Sequence, residues 1–393
     1  MSAQHGSGPI LVYTQRLLAQ MLAHLSQQSV WALDTESNSL YSYYPKVCLI
    51  QISAPGDYPN DDPLAVVDYL VDPIRINNLD GLSKLLANPA AEIVMHAAEN
   101  DMLLLHRSFG IHFGRVFDTQ LAARILGWSQ VGLAAILEER FGVVSDKRMQ
   151  RTNWGKRPLT PQQIAYAQMD THYLLALRSQ LIAELKEKDR WEEAQDAFAL
   201  LVKNDYTDRV VEERSFWQMK CARQLPANHL AALEALWLWR EEQARQQDRP
   251  PFKIITDAEL ADLAAALPSS RAALSSVVSL GERHQERYGG ELLRIIAETR
   301  HRPPPAPPDA TLRLEQTLEK PALNRYDALR KWRSERARVR GVAPDIVLNN
   351  ATLLHIAQHK PATVEELAAI ADIGAWKMRT YGREIVDVLA ALR

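Results

Sequence analysis

VWALDTES, residues 30–37, is an apolar run that ends in two carboxylates. In a strand, side chains alternate faces, so Asp34 and Glu36 point one way and Leu33 and Thr35 the other. Two carboxylates side by side at a strand end repel each other unless a cation lies between them. A hard, oxygen-seeking ion such as Mg²⁺ or Mn²⁺ suits that place. Taken alone, the pair reads better as a solvated strand end, and the motif by itself is weak.

Similar strands follow this one. KVCLIQISA (46–54), LAVVDYLVD (64–72) and AEIVMHA (91–97) are short and apolar, as in a sheet covered on both faces. APGDYPNDDP (54–63) is a loop by composition. Apolar residues recur at three- and four-residue spacing in 79–87, 99–108, 118–126 and 133–140, which predicts helices there. Thr160-Pro161, with Gln163 three residues after the cap, starts another. That helix is expected to carry Tyr166, Asp170 and Leu174 and to run to about Leu185. The first 200 residues therefore read as an α/β fold.

At 393 residues the chain has room for two or three domains. Its apolar runs are too short and interrupted to span a membrane. MSAQHGSGPI at the start lacks the basic region and apolar run of a signal peptide. With only Cys48 and Cys221, a disulfide framework is not expected, and the reducing cytoplasm is the expected location. The net charge is −2, but Lys and Arg against Asp and Glu number 17 and 22 in 1–200, 17 and 18 in 201–320, and 12 and 8 in 321–393. An acidic front with a basic tail suits a metal-binding part joined to one that grips a polyanion.

Beyond about residue 210 the pattern is helical, interrupted by HRPPPAPPDA (301–310), whose prolines predict an extended linker. On either side lies an internal repeat. Residues 236–296 align with 329–389 at a constant offset of 93, with 16 of 61 positions identical. Trp239-Arg240 matches Trp332-Arg333, Gly281 matches Gly374, and Tyr288-Gly289 matches Tyr381-Gly382. Each copy is too long for one unit of a stacked solenoid, so two independent helical globules are expected. The matched tryptophans read as core anchors.

Two further acids stand where chemistry is plausible. Asp101 opens a helix directly after the strand 91–97, at the carboxyl edge of the sheet. Glu99 is the other acid that could register there. Tyr166 and Asp170 are four apart and share a helix face, so the phenol can orient, or help deprotonate, a water beside the carboxylate. Asp118, in FDTQ, reads as a helix cap or a support rather than a ligand.

The series Asp34-x-Glu36, Asp101, Tyr166-x-x-x-Asp170 resembles the DEDD exonuclease superfamily, and the tyrosine four before the last aspartate marks its DEDDy branch. The sister branch has a histidine at minus five, where this chain has Ala165. KVCLIQIS, FDTQLAARIL, NWGKRPLT and the two repeats are similar to the ribonuclease D family, whose helical modules are HRDC domains. The resemblance spans roughly 25–390 and implies an RNase H-like mixed sheet flanked by helices over 1–205. Two small all-α HRDC-like domains would follow, at 206–300 and 311–393, with the linker 301–310 between them.

That resemblance implies a 3′→5′ exoribonuclease releasing nucleoside 5′-monophosphates with two divalent ions, Mg²⁺ or Mn²⁺. Asp34, Glu36 and Asp170 would hold one ion, Asp34 and Asp101 the other, and Tyr166 would orient the attacking water. The implied role is tRNA 3′ maturation by a monomer, with RNA, in the form of tRNA precursors, as its partner. A DNA 3′→5′ exonuclease and a silent RNA-binding adaptor remain as alternatives. Candidate RNA contacts are Lys147, Arg148, Arg151, Trp154, Lys156 and Arg157 in DKRMQRTNWGKRP (146–158), where cations adjoin a stacking ring. Arg333, Arg336 and Arg340 of the second repeat join them.

Overall fold

The computed structural model describes residues 8–56, 64–76, 78–203, 215–306, 319–371 and 373–392. Most of the expected loop 54–63 and the end of the linker 301–310 fall outside them. Two compact units result, one built from Met1–Ser37, Val47–Tyr206 and Leu318–Arg393, the other from Asn38–Lys46 and Thr207–Thr317. Among the described residues no helix is long and apolar enough to cross a membrane.

The first unit is built on a six-stranded sheet of β1 (Ile10–Val12), β2 (Val30–Ser37), β3 (Val47–Pro55), β4 (Val66–Val71), β5 (Glu92–Met95) and β6 (Val116–Asp118), in the order β1-β4-β3-β2-β5-β6. β3 is antiparallel to both neighbours, while β1·β4, β2·β5 and β5·β6 are parallel. Alternation decides what each face carries. Trp31 and Leu33 of β2, with Ile50 and Ile52 of β3, pack under α1 (Gln15–Leu25), α2 (Asp80–Leu86) and α3 (Glu99–Phe109). On the other face Ala32 and Val94 meet α4 (Thr119–Leu126), α5 (Leu133–Phe141), α7 (Leu174–Glu187) and α8 (Trp191–Lys203). Leu49 and Leu70 on that face lie under α6 (Pro161–His172).

Thr160 and Gln163 form the expected capping box on α6. The helix does not continue to Leu185. It breaks at Tyr173, where His172 is tied to Asp68 of β4 at 2.8 Å while the Tyr173 ring packs on Phe141 at 5.2 Å. The two attachments pull adjacent residues toward different partners.

Both repeats fold alike. In the second unit α9 (Ala227–Gln246), α10 (Asp257–Ala266), α11 (Arg271–Ser275) and α12 (Glu282–Thr299) enclose Leu233, Leu236 and Leu292. The segment 38–46 belongs to this unit: Ser42 Oγ and the Tyr43 amide donate to Asp248 at 2.6 and 3.0 Å. In the first unit α13 (Lys320–Arg340), α14 (Pro344–Val347), α15 (Asn350–His359), α16 (Val364–Ile370) and α17 (Ala375–Ala390) form the second copy. This copy is not an independent globule. Arg340 forks onto the buried Glu193 of α8, and Asp196 of α8 accepts the Ala375 and Trp376 amides at 3.0 and 3.2 Å. Trp239 is a core residue and Trp332 packs half-buried against the core of its repeat, each edge-on to its repeat's tyrosine, Tyr288 or Tyr381.

Four candidate RNA contacts are occupied inside the fold. Trp154 is 0 % exposed, packed with Cys48, Leu49 and Leu70 and 6.1 Å from the Tyr166 ring. Its apolar area is removed from water instead of being offered to a base. Arg157 donates to Asp72 at 2.6 and 2.9 Å, and to the Cys48 and Trp154 carbonyls at 2.6 Å each. Arg333 is buried, with Nη1 on the Leu348 carbonyl at 2.8 Å, and its repeat partner Arg240 reaches the matching Ile255 carbonyl at 3.4 Å. Arg340 holds Glu193 and the Tyr381 hydroxyl. A guanidinium's five donors suit it to such clamps.

Among the described residues, Arg157→Ala leaves the buried Asp72 carboxylate with only the longer Arg75 contact at 3.7 Å and the Ile74 amide at 3.1 Å, and is expected to destabilise the fold by about 3 kcal/mol. Urea unfolding measures this. Native stability combined with weakened RNA binding would instead assign Arg157 to phosphate.

Candidate active site

Asp34 and Glu36 stand on the α6 face of β2, where the β2–β3 register slips between Glu36 and Ser37. Asp170 comes down from α6. One carboxylate oxygen from each of these three acids lies within 4.8 Å of the other two. Asp101 is outside that tight group but close enough for its charge to act on all three. It approaches from the far side of β2, where the Thr35 hydroxyl, on the α3 face, donates to its carboxylate. Glu99 is exposed, so Asp101 is the acid of this helix that faces the cluster.

The electrostatics follow from burial. Desolvation pushes Glu36 up to about 9, with the Asp170 and Asp101 charges adding to it. Burial likewise pushes Asp170 up to about 8, against a hydrogen bond from Tyr166 that lowers it. Burial raises Asp101 to about 6, against the Thr35 hydrogen bond. Asp34 is raised well above the carboxylate range by burial first, then by Asp101, Asp170 and Glu36. Burial also raises Tyr166 far above the ordinary phenol value.

One neighbour tests whether a cation suits this place. Gln51 of β3 is the register partner of Asp34, is fully buried, and has neither amide atom hydrogen-bonded among the described residues. A buried amide without a partner is costly, and a hydrated ion would satisfy it. Three converging carboxylates of raised pKa with an unmet amide fit a hard divalent cation.

Several supports were not read from sequence. Asp68 of β4 sits buried beneath α6 and accepts from Ser53 at 2.6 Å, Gln168 at 2.6 Å and His172 at 2.8 Å. Thr171 joins through Ser53 at 2.7 Å. These bonds fasten α6 at residues that flank Asp170, two before it and one and two after it. The signal was present: Gln51, Ser53 and Asp68 are polar residues in otherwise apolar strands and all face α6. Asp118 caps α4, as expected, through the Gln120 and Leu121 amides at 2.8 and 3.0 Å.

Of the remaining candidates, Lys147, Arg148, Arg151 and Lys156 are exposed. Arg148 pairs with Asp146 at 2.7 Å. Arg336 is half-buried against Glu384 at 2.8 Å.

Comparison with known proteins agrees with this geometry. A 3′-5′ exonuclease family model matches residues 9–186, and the HRDC domain model matches 229–296 and 322–389. The two HRDC matches are displaced by the repeat offset. Ribonuclease D of Desulfotalea psychrophila is 30% identical over 266 residues, 67% of this chain and 68% of that one. Ribonuclease D of Pseudomonas paraeruginosa is 28% identical over 377 residues, 95% of each chain. The crystal structure of Escherichia coli RNase D, an exoribonuclease involved in structured RNA processing, has the same fold, with a TM-score of 0.68 at 23% identity over 98% of this chain and 99% of that one. The chain belongs to the ribonuclease D family of 3′→5′ exoribonucleases.

Proposed function

We propose that this chain trims RNA from the 3′ end by two-metal hydrolysis, releasing nucleoside 5′-monophosphates, with tRNA precursors as the substrate in the cytoplasm and the monomer as the active form. The observation that carries the reading is the meeting of the Asp34, Glu36 and Asp170 oxygens within 4.8 Å, with Asp101 beside them and Tyr166 bonded to Asp170. Asp34, Glu36 and Asp170 would hold one Mg²⁺ or Mn²⁺, and Asp34 with Asp101 the second. Such ions activate a water and stabilise the charge on the leaving 3′-oxygen.

The chain's own residues do the rest. Burial is the largest cause of the raised Tyr166 pKa, and it persists when the acids are neutralised. A phenol raised by burial is suited to orient the attacking water, the role proposed for Tyr166. The exposed Lys147, Arg148, Arg151 and Lys156 precede α6 in the chain and are the proposed phosphate contacts. In the second repeat Lys320, Arg330, Lys331 and Arg338 are the exposed cations of α13, and Arg336 is a half-buried one.

Asp34→Asn or Asp170→Asn is expected to lower hydrolysis on the order of a thousandfold with RNA binding retained, and Tyr166→Phe to lower it roughly a hundredfold. The assay uses 3′-extended tRNA and matched single-stranded DNA with Mg²⁺, Mn²⁺ or EDTA, followed by product sizing. Full activity of either Asn variant with Mn²⁺ sinks the assignment. Equal degradation of the DNA would make the enzyme a general 3′→5′ exonuclease.

Stability should depend on pH and metal together. Carboxyls raised in the folded chain hold protons that the unfolded chain has already lost, so stability falls as pH rises through the window from about 4 to about 9. Ion binding requires the deprotonated acids. The rise in Tm on adding Mn²⁺ is therefore expected to grow between about pH 6 and about pH 8.5, and to disappear in Asp34→Asn. A Mn²⁺ shift independent of pH would contradict this.

Replacing Lys147 and Lys156 by Gln is expected to reduce the slope of log affinity against log salt for single-stranded RNA by about 1.4. An unchanged slope removes both from the RNA path.

A further inference from the structure

Asp118 does more than cap its own helix. Its Oδ1 accepts the Gln120 and Leu121 amides at the start of α4 and also the Ala97 amide at 3.1 Å. Its Oδ2 accepts the Ala98 amide at 2.9 Å. One buried carboxylate thus binds the beginnings of two helices, and the second is α3, which carries Asp101 in its first turn. The turn it holds is strained: Ala97 has φ 56°, a left-handed conformation that a residue with a Cβ rarely adopts. Such strain persists only where surrounding bonds over-determine it. Beside it Thr119 donates to the Met95 carbonyl at 3.1 Å and meets His96 Nδ1 at 2.9 Å, fastening the same strand end.

The geometry points to Asp118 as a positioning residue for Asp101. We infer that its bonds to Ala97 and Ala98 hold the turn that aims Asp101 across the end of β2, and so set the affinity of the second cation site. This rests on the proposed metal role of Asp101. Both Asp118 oxygens are taken up by backbone amides, so its proposed effect runs through the turn and Asp101. Thr35 fixes the tip of the Asp101 side chain from β2, and Asp118 fixes the backbone from which that side chain springs.

Asp118→Ser separates the two duties. Serine is a good helix cap and keeps the bonds at the start of α4, but its single short oxygen cannot also reach the Ala98 amide. In the full-length chain the variant is expected to fold, with hydrogen exchange accelerated at the Ala97 and Ala98 amides before any metal is added. Mn²⁺ titration followed by calorimetry and electron paramagnetic resonance should show one site weakened by about 10- to 100-fold. The kcat with Mg²⁺ should fall while KM for RNA stays within about twofold, the signature of an interaction felt in the transition state. Adding Ala97→Gly to Asp118→Ser should recover part of the Mn²⁺ affinity, because glycine holds the positive φ without the bonds.

Asp101→Asn is the reference. If it weakens Mn²⁺ binding and Asp118→Ser weakens it no further in that background, Asp118 acts through Asp101. If Asp101→Asn weakens binding but Asp118→Ser leaves affinity and kcat native, or the two losses simply add, the Asp118 inference is overturned while the metal reading stands. If Asp101→Asn leaves Mn²⁺ binding unchanged, both fall.

Discussion

Like charges brought together away from water are the constraint around which the first unit is organised. Burial is the largest cause of the raised pKa at Asp34, Glu36 and Asp170 alike; the Asp101 charge adds to it at all three, and the Asp170 charge adds to it at Asp34 and Glu36. Nothing in their own packing favours the arrangement, so the surrounding structure must impose it. β2 supplies two acids by alternation, and α6 brings the third from above. That helix is held at its start by the Thr160–Gln163 box and near its end by the Asp68 network. Those bonds are neutral or charge-assisted contacts on buried groups, the kind that are strong where water is excluded. Proposed ion binding would relieve the repulsion and leave the scaffold unchanged.

The two repeats show how one small fold is put to two uses. Their shared framework is internal: the Trp–Tyr contact, and a buried arginine that reaches a carbonyl from the helix's inner side, are common to both. Their difference lies at matched glycines. Gly281 has φ −63° with open space around it, whereas Gly374 has φ +85° and a Cβ there would meet the Asp196 carboxylate. Asp196 then caps the helix that follows. The second copy has lost freedom at this glycine because α8 packs against it, and Arg340 on Glu193 completes the attachment.

Much of this was legible. The strand around Asp34, the capped helix carrying Tyr166, and the repeat with its offset all rest on local rules, namely alternation, capping and self-similarity. What was hidden depended on register. No local rule pairs Gln51 with Asp34, or brings Asp68 under Gln168 and His172, because those meetings are decided by which strands neighbour each other. The break at Tyr173 was hidden for the same reason, since the residues on either side of it answer to partners far away in sequence. Arg333 was different. The repeat already aligned it with Arg240, and an arginine kept at a matched helix position between two otherwise different copies reads better as framework than as RNA contact.

That last point bears on how cations are counted. A run of arginines reads as a footprint for a polyanion, yet Arg157, Arg333 and Arg340 spend their donors on carbonyls, on Asp72 and on Glu193. A guanidinium is weakly hydrated and forked, so it can be buried against such acceptors, whereas an ammonium is strongly hydrated and stays in water. Lys147 and Lys156, in the same segment as Arg157, are accordingly exposed. Where arginines are clamped in this way, the basic excess of a stretch overstates its free positive charge, although Arg148 and Arg151 beside Arg157 stay exposed. Attraction for a phosphate chain at the proposed site would then come first from the exposed cations of 147–156, which keep their charge whether or not an ion is bound by the acids.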